Sequence, residues 1–305
     1  MASKTHMATE EDDARHAPGP ESRPLWNESY WFTFVEPKHD IGFAARFGML
    51  PNMGYGNFYL LVSQGDALVY SLIDQRVKLP EMGAPLSMCG YTVEVEKPLE
   101  RFRLTFERDS IALDVVWESN IPTGMWPHPP GSIDQSTRHI EHSGRVKGTL
   151  RIGETVHQID CPGHRDHSFG GVRDWNSFEY WDYLSGEFDG FWFNAVKIRI
   201  KGLPQDLFIG CLWDGEEVVI VPKIEMNVRE TEAGTRATGV DLHMTDEKGR
   251  AFHIVGQSAY ASGNVWFGPT CLREGYARWT YGDKVGYGVH EHGYTERNDP
   301  SRASG

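Results

Sequence analysis

The chain has 305 residues and a formal net charge of -13 at neutral pH. Such a charge repels phosphate backbones and anionic lipids, so we expect no nucleic-acid partner. No apolar run approaches the ~20 residues that a membrane helix needs, and no secretory leader opens the chain. We therefore expect a cytoplasmic protein without membrane contact. The cysteines form no closely spaced pair, which argues against a structural zinc site and a disulfide framework.

Both ends of the chain lack an apolar pattern. Residues 1–23 are rich in charged residues, Ala, Pro and Gly, which predicts a disordered N-terminal tail that begins with an expression scar. Residues 297–305 are similar in composition and are predicted to form a flexible tail.

Between the tails, apolar and polar residues alternate as they do in half-buried strands. Phe102, Leu104 and Phe106 are separated by polar residues, and helical periodicity is nearly absent. Turn sequences that predict β-hairpins lie at residues 64–66, 214–215 and 246–249. Together with 33 glycines and 17 prolines, this pattern is typical of antiparallel β proteins.

One segment, residues 120–134, interrupts the alternation. It contains four prolines, and proline cannot donate to a β ladder, so the segment is not a central strand. Strand-like sequence of similar length lies on both sides. We therefore predict an all-β protein with very little helix and two antiparallel barrel or sandwich halves, at 24–150 and 151–296.

The most unusual stretch runs from Gly163 to Trp175 and combines two His, two Asp and two Arg with two aromatic residues. Ionisable groups this close together perturb one another's protonation. Neighbours on a strand point to opposite faces, so Asp166 and His167 are not expected to bond each other directly. A catalytic partner must come from another part of the chain.

The run Asp166 to Gly170, with the upstream strand Glu141 to Gly148, resembles a superfamily of paired lipocalin-like β-barrels. This superfamily includes the AttH-like proteins and the carotenoid 1,2-hydratases, also called hydroxyneurosporene synthases, in which an Asp-His-x-Trp-Gly motif opens the second half. Residues 26–32 and 286–292 are similar to a bacterial branch whose motif reads Gly-His-Arg-Asp-His-Ser-Trp-Gly-x-Arg-Asp-Trp. The resemblance therefore spans most of the chain.

The resemblance implies two barrel halves packed around an apolar ligand cavity. It also implies acid/base chemistry without a cofactor on hydrophobic molecules such as terpenoids, polyketides or aryl compounds. We expect a lyase, hydratase or isomerase acting on a small hydrophobic or aromatic metabolite, for example by elimination or retro-aldol cleavage of a hydroxylated aryl compound. Phe169 stands where the branch has Trp, which keeps an apolar wall and loses an indole donor.

Five residues are predicted to be catalytic. Asp166 would be a general acid in apolar surroundings, with His164 or His167 as the base or the orienting group. Glu291 would activate water or abstract a proton, and Tyr180 would place a hydroxyl in the same cavity.

Seven further residues are predicted to bind the substrate. They are Arg138, His139, Phe169, Arg173, Trp175, Trp181 and Asp182. The two arginines would hold or polarise a substrate oxygen, and the aromatic rings would wall a pocket for a flat ligand.

Each assignment has a structural alternative. Asp166 can instead belong to a buried ion-pair network with Arg165, Arg173 or Arg138 that joins the two halves. Glu291 can be a solvated charge on an edge strand, and the aromatic residues can be core.

Three alternatives concern the whole protein. Pairs of histidines at 164 and 167, 139 and 142, and 290 and 292 have ligand-like spacing, yet no acidic partner is fixed by spacing, so we predict no metal site and no cofactor. A non-catalytic hydrophobic-ligand-binding protein or a pericyclase-like template is the rival function. A homodimer formed through an exposed sheet edge is a further explanation for the many aromatic residues.

Overall fold

The computed structural model describes residues 7–126 and 137–295. Within these ranges the backbone forms twenty strands and one short α-helix, with single 3-10 turns at Pro51–Met53 and Trp175–Ser177. The elements are α1 (Glu10–Asp13), β1 (Glu28–Glu36), β2 (Ile41–Leu50), β3 (Tyr55–Gln64), β4 (Ala67–Val77), β5 (Leu86–Met88), β6 (Tyr91–Lys97), β7 (Arg101–Arg108), β8 (Ile111–Ser119), β9 (Gly124–Met125), β10 (Arg138–Ile152), β11 (Thr155–Phe169), β12 (Phe178–Phe188), β13 (Phe191–Ile200), β14 (Leu207–Trp213), β15 (Val218–Ile220), β16 (Lys223–Glu230), β17 (Ala237–Thr245), β18 (Ala251–Phe267), β19 (Thr270–Tyr281) and β20 (Lys284–Thr295).

The strands pair into two antiparallel sheets. Sheet 1 has the order β4-β3-β2-β1-β11-β10-β8-β7-β6-β5, with β9 paired to β10, and curls into a nearly closed barrel. Sheet 2 has the order β15-β14-β13-β12-β20-β19-β18-β17-β16 and forms a half-barrel. The all-β prediction is confirmed, and the three predicted turns connect β3 to β4, β14 to β15 and β17 to β18. In the described residues no helix is long and apolar enough to cross a membrane.

Each sheet fills its own interior with apolar side chains. Phe47, Tyr91 and Trp117 belong to the interior of sheet 1, and Phe193 and Trp279 belong to that of sheet 2. Full burial of one such side chain stabilises the fold by about 1.5–3 kcal/mol. A third apolar cluster is formed by residues of both sheets, and it packs the outer face of sheet 1 against the outer face of sheet 2.

The sheets divide between the end of β11 at Phe169 and the start of β12 at Phe178, rather than near residue 150. The reason is the β10–β11 hairpin. β10 pairs with β8, and β11 pairs with β1, so the hairpin completes sheet 1 instead of opening the second half. The motif is therefore part of sheet 1. Three of the four prolines of the segment 120–134, at positions 127, 129 and 130, lie outside the described residues.

Residues 7–23 do not form the tail that their composition predicts, because they pack against sheet 1. Arg165 donates a hydrogen bond to Asp13 Oδ1 at 2.8 Å, and the two side chains are 0% and 1% exposed. The contact that holds this segment on sheet 1 is polar. The sequence of the segment therefore has no apolar periodicity from which its packing could be predicted. Residues 1–6 and the predicted tail at 297–305 lie outside the described residues.

The Asp13–Arg165 pair gives a first prediction. Replacing Asp13 with Ala leaves the buried Arg165 guanidinium without its anion, and we expect a loss of about 3–5 kcal/mol in the free energy of unfolding, measured by urea denaturation. The matched control is Glu11→Ala, which removes an exposed carboxylate of the same helix. Equal small losses in the two variants would contradict a role for this pair in anchoring the segment.

Candidate functional site

A cavity of about 380 Å³ lies between the two sheets. Sheet 1 contributes Trp31 and Tyr59 to its apolar wall, and sheet 2 contributes Trp181, Tyr183 and Val196. The halves therefore pack around a cavity, as the family resemblance implies. The cavity is not in a barrel interior, because the rings described above fill both interiors.

Alternation along β11 decides which motif side chains reach this cavity. Asp166 lies on the face toward sheet 2 and lines the cavity. Arg165 and His167 lie on the opposite face, inside sheet 1, and both are fully buried. His164 shares the face of Asp166 but is buried deeper in the interface, where Tyr183 covers it.

A charged pair at the cavity wall consists of Asp166 and His139. His139 Nε2 lies 3.6 Å from Asp166 Oδ2 and 2.8 Å from Glu141 Oε1. Burial disfavours the charged imidazolium, but the two carboxylates outweigh it and raise the pKa of His139 to about 9. Burial also favours protonation of Asp166, yet the nearby positive charge of His139 holds the pKa of that carboxyl below its usual value. Asp166 is thus an ionised carboxylate here, not the predicted proton donor.

Behind this pair, Glu141 links the two sheets. Its Oε2 accepts a hydrogen bond from Tyr183 Oη at 2.6 Å and lies 2.7 Å from His164 Nε2. The other ring nitrogen of His164 lies 3.2 Å from Ser185 Oγ on β12. A polar network therefore joins β10 and β11 of sheet 1 to β12 of sheet 2, as the structural alternative anticipates, although its members differ from the predicted arginine partners.

Glu291 reaches the cavity from β20 of sheet 2. Trp181 Nε1 donates a hydrogen bond to Glu291 Oε1. Burial and the negative charge of Asp166 raise the pKa of Glu291 to about 7, against the opposing effects of that hydrogen bond and of Arg46 and Arg173. A carboxyl group with this pKa exchanges protons near neutral pH, as a general acid or base must.

A second carboxyl group, Glu274, lies behind the aromatic wall. It is fully buried, and its Oε1 accepts hydrogen bonds from Trp31 Nε1 at 3.0 Å and from Tyr59 Oη. Burial and the charge of Glu291 raise the pKa of Glu274 well above its usual value. Its two hydrogen bonds fix the Trp31 and Tyr59 rings at the cavity wall.

Two arginines supply positive charge to the same space. Arg173 donates to Ser168 Oγ at 3.1 Å, and its guanidinium lies 5.4 Å from the centre of the Trp175 ring. Arg46 lies 5.5 Å from that ring and donates to Asn57 Oδ1 at 2.9 Å. Burial and the charge of Arg46 lower the pKa of Arg173 to about 10, so it remains a cation at neutral pH.

Seven of the predicted site residues line the cavity. They are His139, Asp166, Phe169, Arg173, Trp175, Trp181 and Glu291. The structure does not bring the other five into it.

Those five residues have other surroundings. His164 and His167 are buried as described above. Tyr180 donates to Asp206 at 2.7 Å, and Arg138 is exposed at the start of β10. Asp182 shares the face of Tyr180, but that face looks into the interior of sheet 2. There the Asp182 carboxylate lies 2.7 Å from one nitrogen of His292 and 3.2 Å from one of His290.

Sequence reasoning missed several residues that shape the site, including Arg46, Tyr59, Glu141 and Glu274. Arg46 had a usable signal, because it is the only charged residue in the apolar run of β2. Glu141 and Glu274 had none, since each stands in a strand with other polar residues and only the pairing of the sheets shows its burial.

Comparison with known proteins identifies the family. The family model described as "Domain of unknown function (DUF7064)" matches residues 9–295. The chain belongs to this family. No curated protein sequence gives a significant match.

The fold of this DUF7064 protein is similar to the folds of several solved structures. A Nitrosomonas europaea protein assigned to AttH is 13% identical with a TM-score of 0.70, over 92% of this chain and 99% of that chain. Kievitone hydratase from Nectria haematococca is 12% identical with a TM-score of 0.61, over 92% and 96%. CghA, crystallised with Sch210972, is 12% identical with a TM-score of 0.62, over 90% and 89%. The AttH-like paired-barrel fold predicted from the motif is confirmed.

The charge of His139 in this DUF7064 protein gives a second prediction. Replacing Glu141 with Gln removes the nearest carboxylate, so we expect the pKa of His139 to fall from about 9 toward its usual value of 6.5. The measurement is a 15N NMR titration of the imidazole. The control is Glu118→Gln, which removes an exposed carboxylate on β8. An unchanged His139 titration in Glu141→Gln would contradict the assigned cause.

Proposed function

We propose that this protein is an acid/base lyase or hydratase that adds water to, or removes it from, a small aromatic or otherwise apolar molecule bound between the sheets. One observation carries the proposal. Glu291 from sheet 2 and the His139–Asp166 pair from sheet 1 face one cavity with aromatic walls, and the pKa of Glu291 is raised to about 7. A base and an acid of suitable pKa are the groups that such reactions need.

In the elimination direction, the Glu291 carboxylate removes a proton from the carbon beside a substrate carbonyl. The electrons of that C–H bond form an enolate, whose negative oxygen Arg173 and Arg46 stabilise. The enolate then forms the carbon–carbon double bond as the neighbouring C–O bond breaks. The His139 imidazolium gives its proton to the departing hydroxyl, which leaves as water. Hydration is the reverse of these steps.

The surroundings match a substrate of this class. The volume of about 380 Å³ is within the range of small-molecule sites. Trp31 of sheet 1, and the neighbouring Trp175 and Trp181 rings, offer flat apolar surfaces to the cavity, which suit an aryl ring. Asp166 keeps His139 charged and oriented, so its role in this proposal is that of a positioning residue as well as a wall of the site.

The fold comparison supports the class of reaction in general terms. One solved structure with this fold is a kievitone hydratase, which its name describes as an enzyme that hydrates a small molecule. At 12% identity the likeness concerns the fold, so the assignment of Glu291 and His139 rests on their geometry in this chain.

A pericyclase-like template or a binding protein is the second candidate. It is favoured by the network of Glu141, His164 and Tyr183, which holds the two sheets together and needs no catalytic turnover to explain it. A template would shape its guest through the walls of the cavity and would not depend on proton transfer by Glu291.

A third prediction separates these candidates. We expect Glu291→Gln to lower kcat by at least about a hundredfold, since general acid/base groups contribute roughly 10²–10⁴. The control is Glu225→Gln, which changes an exposed carboxylate of sheet 2. The assay follows incorporation of ¹⁸O from labelled water into a panel of unsaturated and β-hydroxy aryl ketones and terpenoids. Incorporation that is undiminished in Glu291→Gln would overturn the assigned role of Glu291, whereas a wild-type protein that binds these compounds without incorporating ¹⁸O would favour the template or binding protein.

The same assay gives a prediction for pH. The carboxylate of Glu291 is the active form, so kcat/KM rises as the pH passes about 7; the imidazolium of His139 is the active form, so kcat/KM falls as the pH passes about 9. We expect a bell-shaped profile between these values. Glu291→Gln should remove the acidic limb, and a flat profile in the wild-type protein would contradict both roles.

A further inference from the structure

We propose that His16, Glu28 and His167 form a binding site for one divalent transition-metal ion, outside the cavity. Two imidazole nitrogens converge on one carboxylate oxygen: His16 Nδ1 and His167 Nε2 each lie 3.0 Å from Glu28 Oε1. All three ligand atoms lie within 4.8 Å of one another. None of the three side chains lines the cavity, so this site does not depend on the proposed function.

The spacing suits a metal ion. Ligand atoms bound at about 2.0–2.1 Å from an ion, with angles between a right angle and the tetrahedral value, are separated by about 2.8–3.4 Å. The two nitrogen–oxygen distances of 3.0 Å lie in this range. Two histidines and one carboxylate are the ligand set of open zinc sites and of several iron sites. Glu28 and His167 are fully buried, and His16 is one-quarter exposed, which gives an ion a route from solvent.

Hydrogen bonding alone serves this group poorly. Besides the two ring nitrogens, the backbone N–H of His16 donates to Glu28 Oε1 at 2.9 Å, so three nitrogens approach one oxygen that offers about two lone pairs. An ion placed between the two rings and the carboxylate would bind both imidazole lone pairs and leave the backbone hydrogen bond intact.

The far side of His167 supplies a second, independent observation. Its Nδ1 is buried and has no hydrogen-bond partner in the described part of the chain, and it lies 3.6 Å from Asp13 Oδ1. A histidine that binds a metal through one nitrogen usually directs its other N–H to a carboxylate. Arg165 holds Asp13 in this position at 2.8 Å. The outer partner that a metal-bound His167 needs is therefore present.

Metal binding at this site would join the N-terminal segment to two strands of sheet 1. His16 belongs to the N-terminal segment, Glu28 begins β1, and His167 lies near the end of β11. The His16 ring also stacks on Phe169, with ring centres 3.9 Å apart, and Phe169 lines the cavity. The ion would thus hold one wall of the cavity in place without touching the ligand.

The test uses the untagged full chain, stripped with EDTA and titrated with Zn²⁺ by calorimetry. We expect a binding event that also raises the melting temperature, because the ion binds the folded state. His16→Gln should remove this event or weaken it at least tenfold. The matched control is His253→Gln, which alters an exposed cluster with Asp241 and His243 that also has ligand-like spacing. It should leave the event at His16 unchanged.

Two outcomes would overturn the proposal: the wild-type protein does not bind Zn²⁺, or binding is lost only in His253→Gln and persists in His16→Gln. A second measurement needs no variant. Addition of Zn²⁺ should shift the 15N resonances of His16 and His167 in the wild-type protein, whereas shifts confined to His243 and His253 would place the ion at the surface cluster.

Discussion

Alternation of side chains along β11 is the constraint on which the rest of this structure depends. Arg165 and His167 point into sheet 1, where Arg165 pairs with Asp13 of the N-terminal segment. His164 and Asp166 point to sheet 2, where they help to build the interface and the cavity. One strand therefore anchors the fold on one face and carries charge into the site on the other. A shift of its register by one residue would exchange the two sets and destroy both.

Ionisable side chains from both sheets are buried together at the cavity. Burial of a charge is costly unless an opposite charge or hydrogen bonds compensate for it. The negative charge of Asp166 is compensated by His139. Burial and the charge of Asp166 raise the pKa of Glu291, two arginines lower it, and the result is a pKa of about 7. Because these groups come from both sheets, the packing of one sheet on the other sets their protonation.

Much of the fold was predictable, because period-two alternation and the motif are local features of the sequence. The opposite orientation of Asp166 and His167 followed from strand geometry alone. Alternation does not show which face of a strand meets the other sheet. Asp182 was therefore placed in the cavity, although it faces the interior of sheet 2. The packing of the N-terminal segment was not predictable, since buried polar contacts anchor it.

The most direct test of charge coupling across the cavity is a 13C NMR titration of the Glu291 carboxyl group in the wild-type protein and in Asp166→Asn, with Glu291→Gln to assign the resonance. We expect the pKa of Glu291 to be about 7 in the wild-type protein and lower in Asp166→Asn, because the substitution removes a negative charge of sheet 1 from beside a carboxyl group of sheet 2. Titration near the usual value of 4.5 in both proteins would contradict a shared site between the sheets.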